Sequence, residues 1–256
     1  MGSTIIESAI FGEPFSTRAM RDVFSDKSRT RKYLEIEAAL ARVQGRLGII
    51  PAEAAEEIVR HCVLEKIDMV KLKGQTERIG YPVLGVVSQL NALCHDKLGA
   101  YCHWGATTQD ITDTATVMQI REGLAIIDGE LKAISAAMAK LAKRHRDTPM
   151  VGRSNLQQAV PVTFGCKVAG LLSAIERHRT RLSELRPRVL VGELAGAAGT
   201  LASIESGALE MQAQVMRELG HAQPDIAWHT VRDNIAEVGC FLGLVTRTLG
   251  RLATDV

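Results

Sequence analysis

Between Val117 and Leu141 the apolar residues Val117, Ile120, Leu124, Ile127, Leu131, Ile134, Met138 and Leu141 recur at steps of 3, 4, 3, 4, 3, 4 and 3. An α-helix puts such a series on one face, and a narrow stripe of that length has to be covered by other helices. A second seam runs Phe164, Val168, Leu171, Ile175, His178, Leu182, Leu185, with Pro187 as its stop. A third runs Ile235, Val238, Leu242, Val245, Leu249, Leu252. Three helices of roughly twenty residues or more, each with one apolar stripe, are most economically covered in a long bundle. Seams of this length also suit association across subunits. His178 falls within a seam and reads as a satisfied core or rim residue.

The rest of the chain is helical too, in shorter pieces. Few segments alternate with a period of two, and aromatic residues make up only 4%. Ile36, Leu40, Val43 and Leu47 share a face, Gly48 closes that helix, and Pro51 opens the next. Pro82 opens another, with Leu84, Val87, Cys94 and Leu98 as its expected apolar face. Pro149, Pro161, Pro187 and Pro224 punctuate the later helices. The expected fold class is therefore all-α: a small helical N-terminal domain over residues 1–110, then a long-helix bundle over residues 111–256.

Composition excludes several function classes. A net charge of +2, with no block of five or six like charges, gives no field for nucleic acid. The basic stretch from Lys140 to Arg146 reads as the solvated end of a helix. No apolar run approaches the ~20 residues of a membrane span. The N-terminus lacks a signal-peptide pattern, and Ile6 stands where myristoylation after Met1-Gly2 needs Ser or Thr. Five cysteines without a C-x-x-C pattern fit free thiols in a reducing cytoplasm. A soluble, cytoplasmic protein is expected.

Two phrases carry the chemistry. In His103-Trp-Gly-Ala-Thr-Thr-Gln-Asp110, Thr107 and Thr108 offer hydroxyls and backbone N–H groups at the start of a long helix. Asp110 or Thr112 can cap that helix, whose dipole favours a bound carboxylate. In Gly152-Arg-Ser-Asn-Leu-Gln-Gln-Ala159, Arg153 can hold a carboxylate bidentately, and Ser154, Asn155 and Gln158 add neutral donors in a turn before a helix starting at Pro161. A third phrase, Trp228-His229-Thr230-Val-Arg232-Asp233, opens the last seam with an imidazole and a cation. The Gly192–Thr200 stretch lacks a P-loop lysine and follows no strand, so its small residues read as sites of close approach.

These phrases, in this order, resemble the fumarase/aspartase superfamily, which includes adenylosuccinate lyase and argininosuccinate lyase. Ala19-Met-Arg-Asp-Val-Phe-Ser-Asp26 and Leu34-Glu-Ile-Glu-Ala-Ala-Leu40 extend the likeness over essentially the whole chain. The resemblance implies a mostly α homotetramer with a shared central bundle, active sites built from three chains, and no metal or organic cofactor. Most lyases of the superfamily read Gly-Arg-Thr-His where this chain has Gly152-Arg153-Ser154-Asn155. Asn cannot act as a general acid or base near neutral pH. The branch of bacterial 3-carboxy-cis,cis-muconate cycloisomerases also lacks that His, and the chain is most similar to this branch.

The superfamily's third signature, a Gly-Ser-Ser-x-Met-Pro-x-Lys-x-Asn-Pro loop bearing the serine base, is expected beyond Val256, so the C-terminal part is expected to be missing. The implied activity is closure of 3-carboxy-cis,cis-muconate to a carboxymuconolactone in the β-ketoadipate pathway of aromatic catabolism. Arg153, Ser154, Asn155 and Gln158 would bind carboxylate and intermediate. Thr107 and Thr108 would hold a second carboxylate with support from His103. His229 is the candidate proton donor, with Arg232 beside it and Arg29 as a further anion-binding candidate. The alternatives are a fumarate-releasing lyase of the same superfamily, or a non-catalytic helical assembly module.

Overall fold

The long periodic stretches are helices in the computed structural model, which describes residues 4–6, 8 and 10–255. In chain order the helices are α1 (Gly12–Phe15), α2 (Arg18–Val23), α3 (Asp26–Arg46), α4 (Ala52–His61), α5 (Met69–Ile79), α6 (Pro82–Leu93), α7 (Thr108–Arg144), α8 (Phe164–Val189), α9 (Ala208–Leu219) and α10 (Asp233–Thr254). Short 3₁₀ turns occupy Leu64–Lys66 and Leu98–Tyr101, and one antiparallel pair, β1 (Pro149–Ser154) and β2 (Gln157–Thr163), interrupts the helices. The fold is all-α apart from this ribbon. Among the described residues no helix is long and apolar enough to cross a membrane. Met1 and Gly2 lie outside the described residues.

The chain forms two compact units that do not follow chain order. One contains residues up to Gly123 together with Leu190–Arg232; the other contains Leu124–Val189 and the segment from Asp233 onward. The division differs from the one expected near residue 110: the first turns of α7, with Ile111, Ala115 and Met118 buried in the core of the first unit, belong to that unit as far as Gly123. The segment after α8 also returns to the first unit.

Within the first unit, α3 is buried on nearly every side. Tyr33, Leu34, Ile36 and Ala41 pack with residues of α4, α5 and α6 and with Ile111, Ala115 and Met118 of α7. Ala39, Leu40 and Val43 pack instead with Leu194, Leu201, Ile204 and the α9 residues Met211, Val215 and Met216. Ser25 caps α3 by accepting from the Ser28 N–H. Gly48, at φ 69°, ends it. The Ile49 N–H then reaches the Gln44 carbonyl at 2.9 Å and the Gly48 N–H the Gly45 carbonyl at 3.2 Å, the paired bonds of a Schellman closure. Pro51 precedes α4 as its cap residue rather than lying in its first turn. Pro82 does open α6, but the buried face is Val83, Val86 and Leu90, and Leu84 is exposed.

In the second unit, α8 and α10 pack together with α8's His178 buried, its Nε2 2.8 Å from Thr248 Oγ1 of α10. Pro187 lies inside α8 rather than stopping it. In the last turn a proline removes only one helical bond, and the Arg188 guanidinium donates to the nearby Glu184 carbonyl at 2.7 Å. The third seam is buried at Val238, Phe241 and Val245, with Leu242 exposed, so the larger aromatic ring takes the inward position. The expected turn before α8 is a hairpin. Its tip residues Asn155 (φ 49°) and Leu156 (φ 64°) form a two-residue turn of the type that matches strand twist. Pro161 pairs with Val151 next to a register shift, where a strand tolerates a missing N–H, and α8 begins only at Phe164.

One buried histidine sets an acid limit on the first unit. His221 is 7% exposed, with Nδ1 3.3 Å from the Leu190 carbonyl. Burial, reinforced by Arg121, pushes its pKa down to about 4. A group whose pKa is depressed on folding stabilises the fold above its unfolded value of about 6.5, and that contribution fades as pH falls toward its folded value. The loss should reach about 3 kcal/mol across this window. His221→Asn, which keeps a donor for Leu190, should therefore flatten the fall in urea midpoint between pH 7 and pH 4.5. An unchanged slope would exclude His221 as its source.

Candidate active site

The start of α7 is organised by one carboxylate. Asp110 is fully buried, and its Oδ2 accepts the Thr107 N–H at 2.9 Å, the reciprocal bond of a helix-capping box. The same carboxylate accepts the backbone N–H groups of Ala195 (3.0 Å, Oδ1) and Gly196 (2.9 Å, Oδ2). Gly196 sits at φ 74°, and a Cβ there would come within 3.0 Å of the Gly105 carbonyl oxygen. The glycine thus lets the 193–196 segment lie directly on the 103–110 loop. Thr112, the other capping candidate, donates instead to the Gln109 carbonyl.

The Trp228 phrase closes over this pair. His229 Nε2 lies 2.8 Å from Asp110 Oδ1, and its side chain is 15% exposed. Gln109 of α7 donates to the His229 carbonyl at 2.8 Å, fixing the backbone that carries the ring. Arg232 grips Asp113 with two bonds of 2.7 and 2.9 Å, and its guanidinium stands 5.4 Å from the centre of the Trp228 ring. Glu193, also buried, accepts the Trp228 N–H at 2.6 Å, while its Oε1 lies 4.0 Å from His229 Nε2 without a hydrogen-bond partner. Burial pushes the Glu193 carboxyl up, against the lowering pull of the Trp228 N–H and His229.

His103 belongs to the same loop and has its own carboxylate. Its Nδ1 is 2.7 Å from Glu37 Oε1, and Glu37 is 1% exposed. Burial opposes a charge on this imidazole, but the Glu37 carboxylate and, behind it, Asp110 together outweigh burial, and the pKa is raised. The first unit thus presents two imidazole–carboxylate pairs on one loop, with Arg232 nearby. The Thr107 and Thr108 hydroxyls make no hydrogen bonds among the described residues. This arrangement can bind anionic groups and hold protons.

Asp110, Glu193 and His229 offer ligand atoms within 4.8 Å of one another, close enough to hold a metal ion. Asp110 already accepts three backbone N–H groups and faces the His229 ring, and Glu193 accepts a fourth. Their geometry serves a hydrogen-bonded network first.

Of the residues expected from sequence, His103, Thr107, Thr108, His229 and Arg232 lie in the first unit. Arg153, Ser154, Asn155 and Gln158 lie on the exposed hairpin of the second. Arg29 lines a separate concavity of about 450 Å³ with Tyr33, Met69, Leu72 and Lys73. A concavity of about 610 Å³ between α3 and α4, lined by Arg42, Arg46 and Arg60, shares no residue with the Asp110 cluster. Sequence reasoning missed Glu37, Asp113 and Glu193. Glu37 carried a signal, a carboxylate among the apolar positions of α3. Glu193 was masked by the small residues around it.

The fold and these phrases meet in one family. The chain belongs to the Lyase family. Its family model matches residues 14–256. Trans-aconitate decarboxylase 1 of Mycosarcoma maydis is 54% identical over 97% of this chain and 50% of its own length. A 3-carboxy-cis,cis-muconate cycloisomerase of Pseudomonas aeruginosa is 42% identical over 99% of this chain and 56% of its own. The crystal structure of 3-carboxy-cis,cis-muconate lactonizing enzyme from Pseudomonas putida superposes with a TM-score of 0.93 at 38% identity, covering 97% of this chain and 57% of that one. The chain therefore has the fumarase/aspartase-like helical fold and spans about half the length of these relatives.

Asp110 gives the first test of this site. Asp110→Ala would leave three buried backbone N–H groups and an imidazole without an acceptor, a loss of about 3–5 kcal/mol. Chemical denaturation should register it, and a loss below about 1 kcal/mol would mean that water or another group replaces the carboxylate.

Proposed function

We propose that this chain is part of an enzyme acting on an unsaturated tricarboxylate, closing 3-carboxy-cis,cis-muconate to a carboxymuconolactone in aromatic catabolism. One substrate carboxylate oxygen adds to a conjugated double bond, and the carbon alpha to another carboxylate takes a proton. The path crosses an aci-carboxylate with one extra negative charge, which the site must favour over the ground state. The observation that carries the reading is Asn155, set where most related lyases place a histidine. It cannot act as a general acid or base near neutral pH, so in this proposal the proton donor is an imidazole of the first unit, while the base is the serine that the resemblance places in the C-terminal loop.

In this proposal His229 donates the proton, held in orientation by Asp110 and Gln109. Thr107, Thr108 and His103 hold one carboxylate, with Arg232 adding positive charge. Arg153, Ser154, Asn155 and Gln158 hold another carboxylate and the intermediate. We also propose self-association, as a homotetramer whose sites combine segments of several chains.

A second reading is decarboxylation of trans-aconitate, favoured by the 54% identity to a trans-aconitate decarboxylase over 97% of this chain. It shares the substrate class, an unsaturated tricarboxylate, and also develops charge that a carboxylate must accept.

Incubating the protein separately with both tricarboxylates separates the readings. Loss of diene absorbance from carboxymuconate without CO₂ supports cyclisation; CO₂ released from trans-aconitate replaces it with the second reading. Fumarate from adenylosuccinate or argininosuccinate would overturn both. Arg153 is exposed, so Arg153→Ala should abolish turnover, by a factor of about 100 or more, without changing the melting temperature. Retained turnover would remove Arg153 from the site.

A further inference from the structure

We infer that Glu37 is a positioning residue for His103: it binds Nδ1 of the imidazole and thereby presents the opposite nitrogen, Nε2, as a charged donor to a substrate carboxylate. This rests on the tricarboxylate reading above for the identity of the ligand, but not for the existence of the pair.

Three observations converge on it. Glu37 lies on α3 with 1% exposure, and its Oε1 is 2.7 Å from His103 Nδ1. Its other oxygen, Oε2, is buried without any hydrogen-bond partner, and no cation other than the imidazole pairs with Glu37 among the described residues. The negative charge therefore acts on His103 undiluted. A buried carboxylate with a vacant lone pair is costly unless a positive partner compensates it.

The backbone of His103 is also held. Its φ of 61° is in the left-handed region, which is unfavourable for a residue with a side chain. Gln44, two turns beyond Glu37 on α3, donates from Nε2 to the Trp104 carbonyl at 2.7 Å. One helix thus grips the imidazole and the next peptide together, fixing both the ring and the backbone that carries it. His103 Nε2 has no partner among the described residues, and the side chain is 14% exposed. This leaves Nε2 for a ligand.

The groups around the pair agree with a charged ring. Asp110, at the start of α7, adds attraction for a proton on His103. Cys62 and Cys102 sense the Glu37 charge, and burial together with that charge pushes both thiols up, Cys62 to about 12, so neither competes as an anion. Glu37 as a merely structural residue would account for its burial, but not for the free oxygen or the strained, doubly held imidazole.

The test is a titration of the His103 ring by NMR in histidine-labelled protein, with binding of propane-1,2,3-tricarboxylate measured alongside between pH 6 and 8. In the wild type, His103 should titrate above the ordinary histidine value. Glu37→Gln should lower its midpoint by one pH unit or more and weaken tricarboxylate binding about tenfold at the upper end of the range. That gap should narrow as the pH falls toward 6, where the variant's ring begins to take up the proton that the wild type already holds. Glu37→Asp should recover part of the shift. It also serves if the glutamine variant does not fold.

An unchanged His103 midpoint in a folded Glu37 variant would overturn the inference. So would a loss of binding that is equal at every pH. If the wild type shows the raised midpoint but binds no tricarboxylate, the substrate reading fails while Glu37's hold on the ring stands.

Discussion

The candidate site depends on the buried carboxylate of Asp110. Three backbone N–H groups from two separate segments converge on it, and each would be an orphan donor in the protein interior without it. A single side chain thus terminates α7, pins the 193–196 segment and orients His229. This is more than a helix cap usually does. A typical cap satisfies one or two N–H groups of its own helix. Here the acceptor capacity of both oxygens is spent across the chain, so the local start of a helix and the tertiary closure of the site become one event.

α3 complements this from the other side. It is buried on opposite faces, against α4–α6 and against α9, and an apolar helix would be sufficient for packing alone. The sequence nevertheless places Glu37 and Gln44, seven residues apart and so on one face, within that interior. Both polar side chains reach the 103–105 loop. Burying them costs desolvation, which only their specific partners offset. The cost identifies the loop as the feature this helix is shaped to hold.

Much of this architecture was legible in the sequence, for reasons that also explain the misses. The Val117–Leu141 seam is visible because a long helix repeats one requirement many times. The capping role of Asp110 is visible because it depends on neighbours three residues away. Glu193 was not legible, because its environment comes from Trp228 and His229, both more than thirty residues distant. The hairpin was missed because Pro161 looks like a helix opener, while its real setting depends on pairing with Val151 beside a register shift. The exchange of Leu242 for Phe241 as the inward residue of α10 is a matter of packing volume, which period alone does not set.

Asn155 shows how backbone and chemistry can be chosen by one residue. It opens a two-residue turn at φ 49°, a conformation that Asn adopts more readily than most residues because its short side chain can bond locally. Histidine at the same place would keep an imidazole near Arg153 but give up part of that preference. With Asn there, the hairpin offers donors and a cation but no group that titrates near neutral pH. The imidazoles of His103 and His229, by contrast, sit against buried carboxylates in the first unit. The turn residue thus settles two things at once, a left-handed bend that few residues adopt and a side chain that can donate and accept hydrogen bonds but cannot titrate near neutral pH.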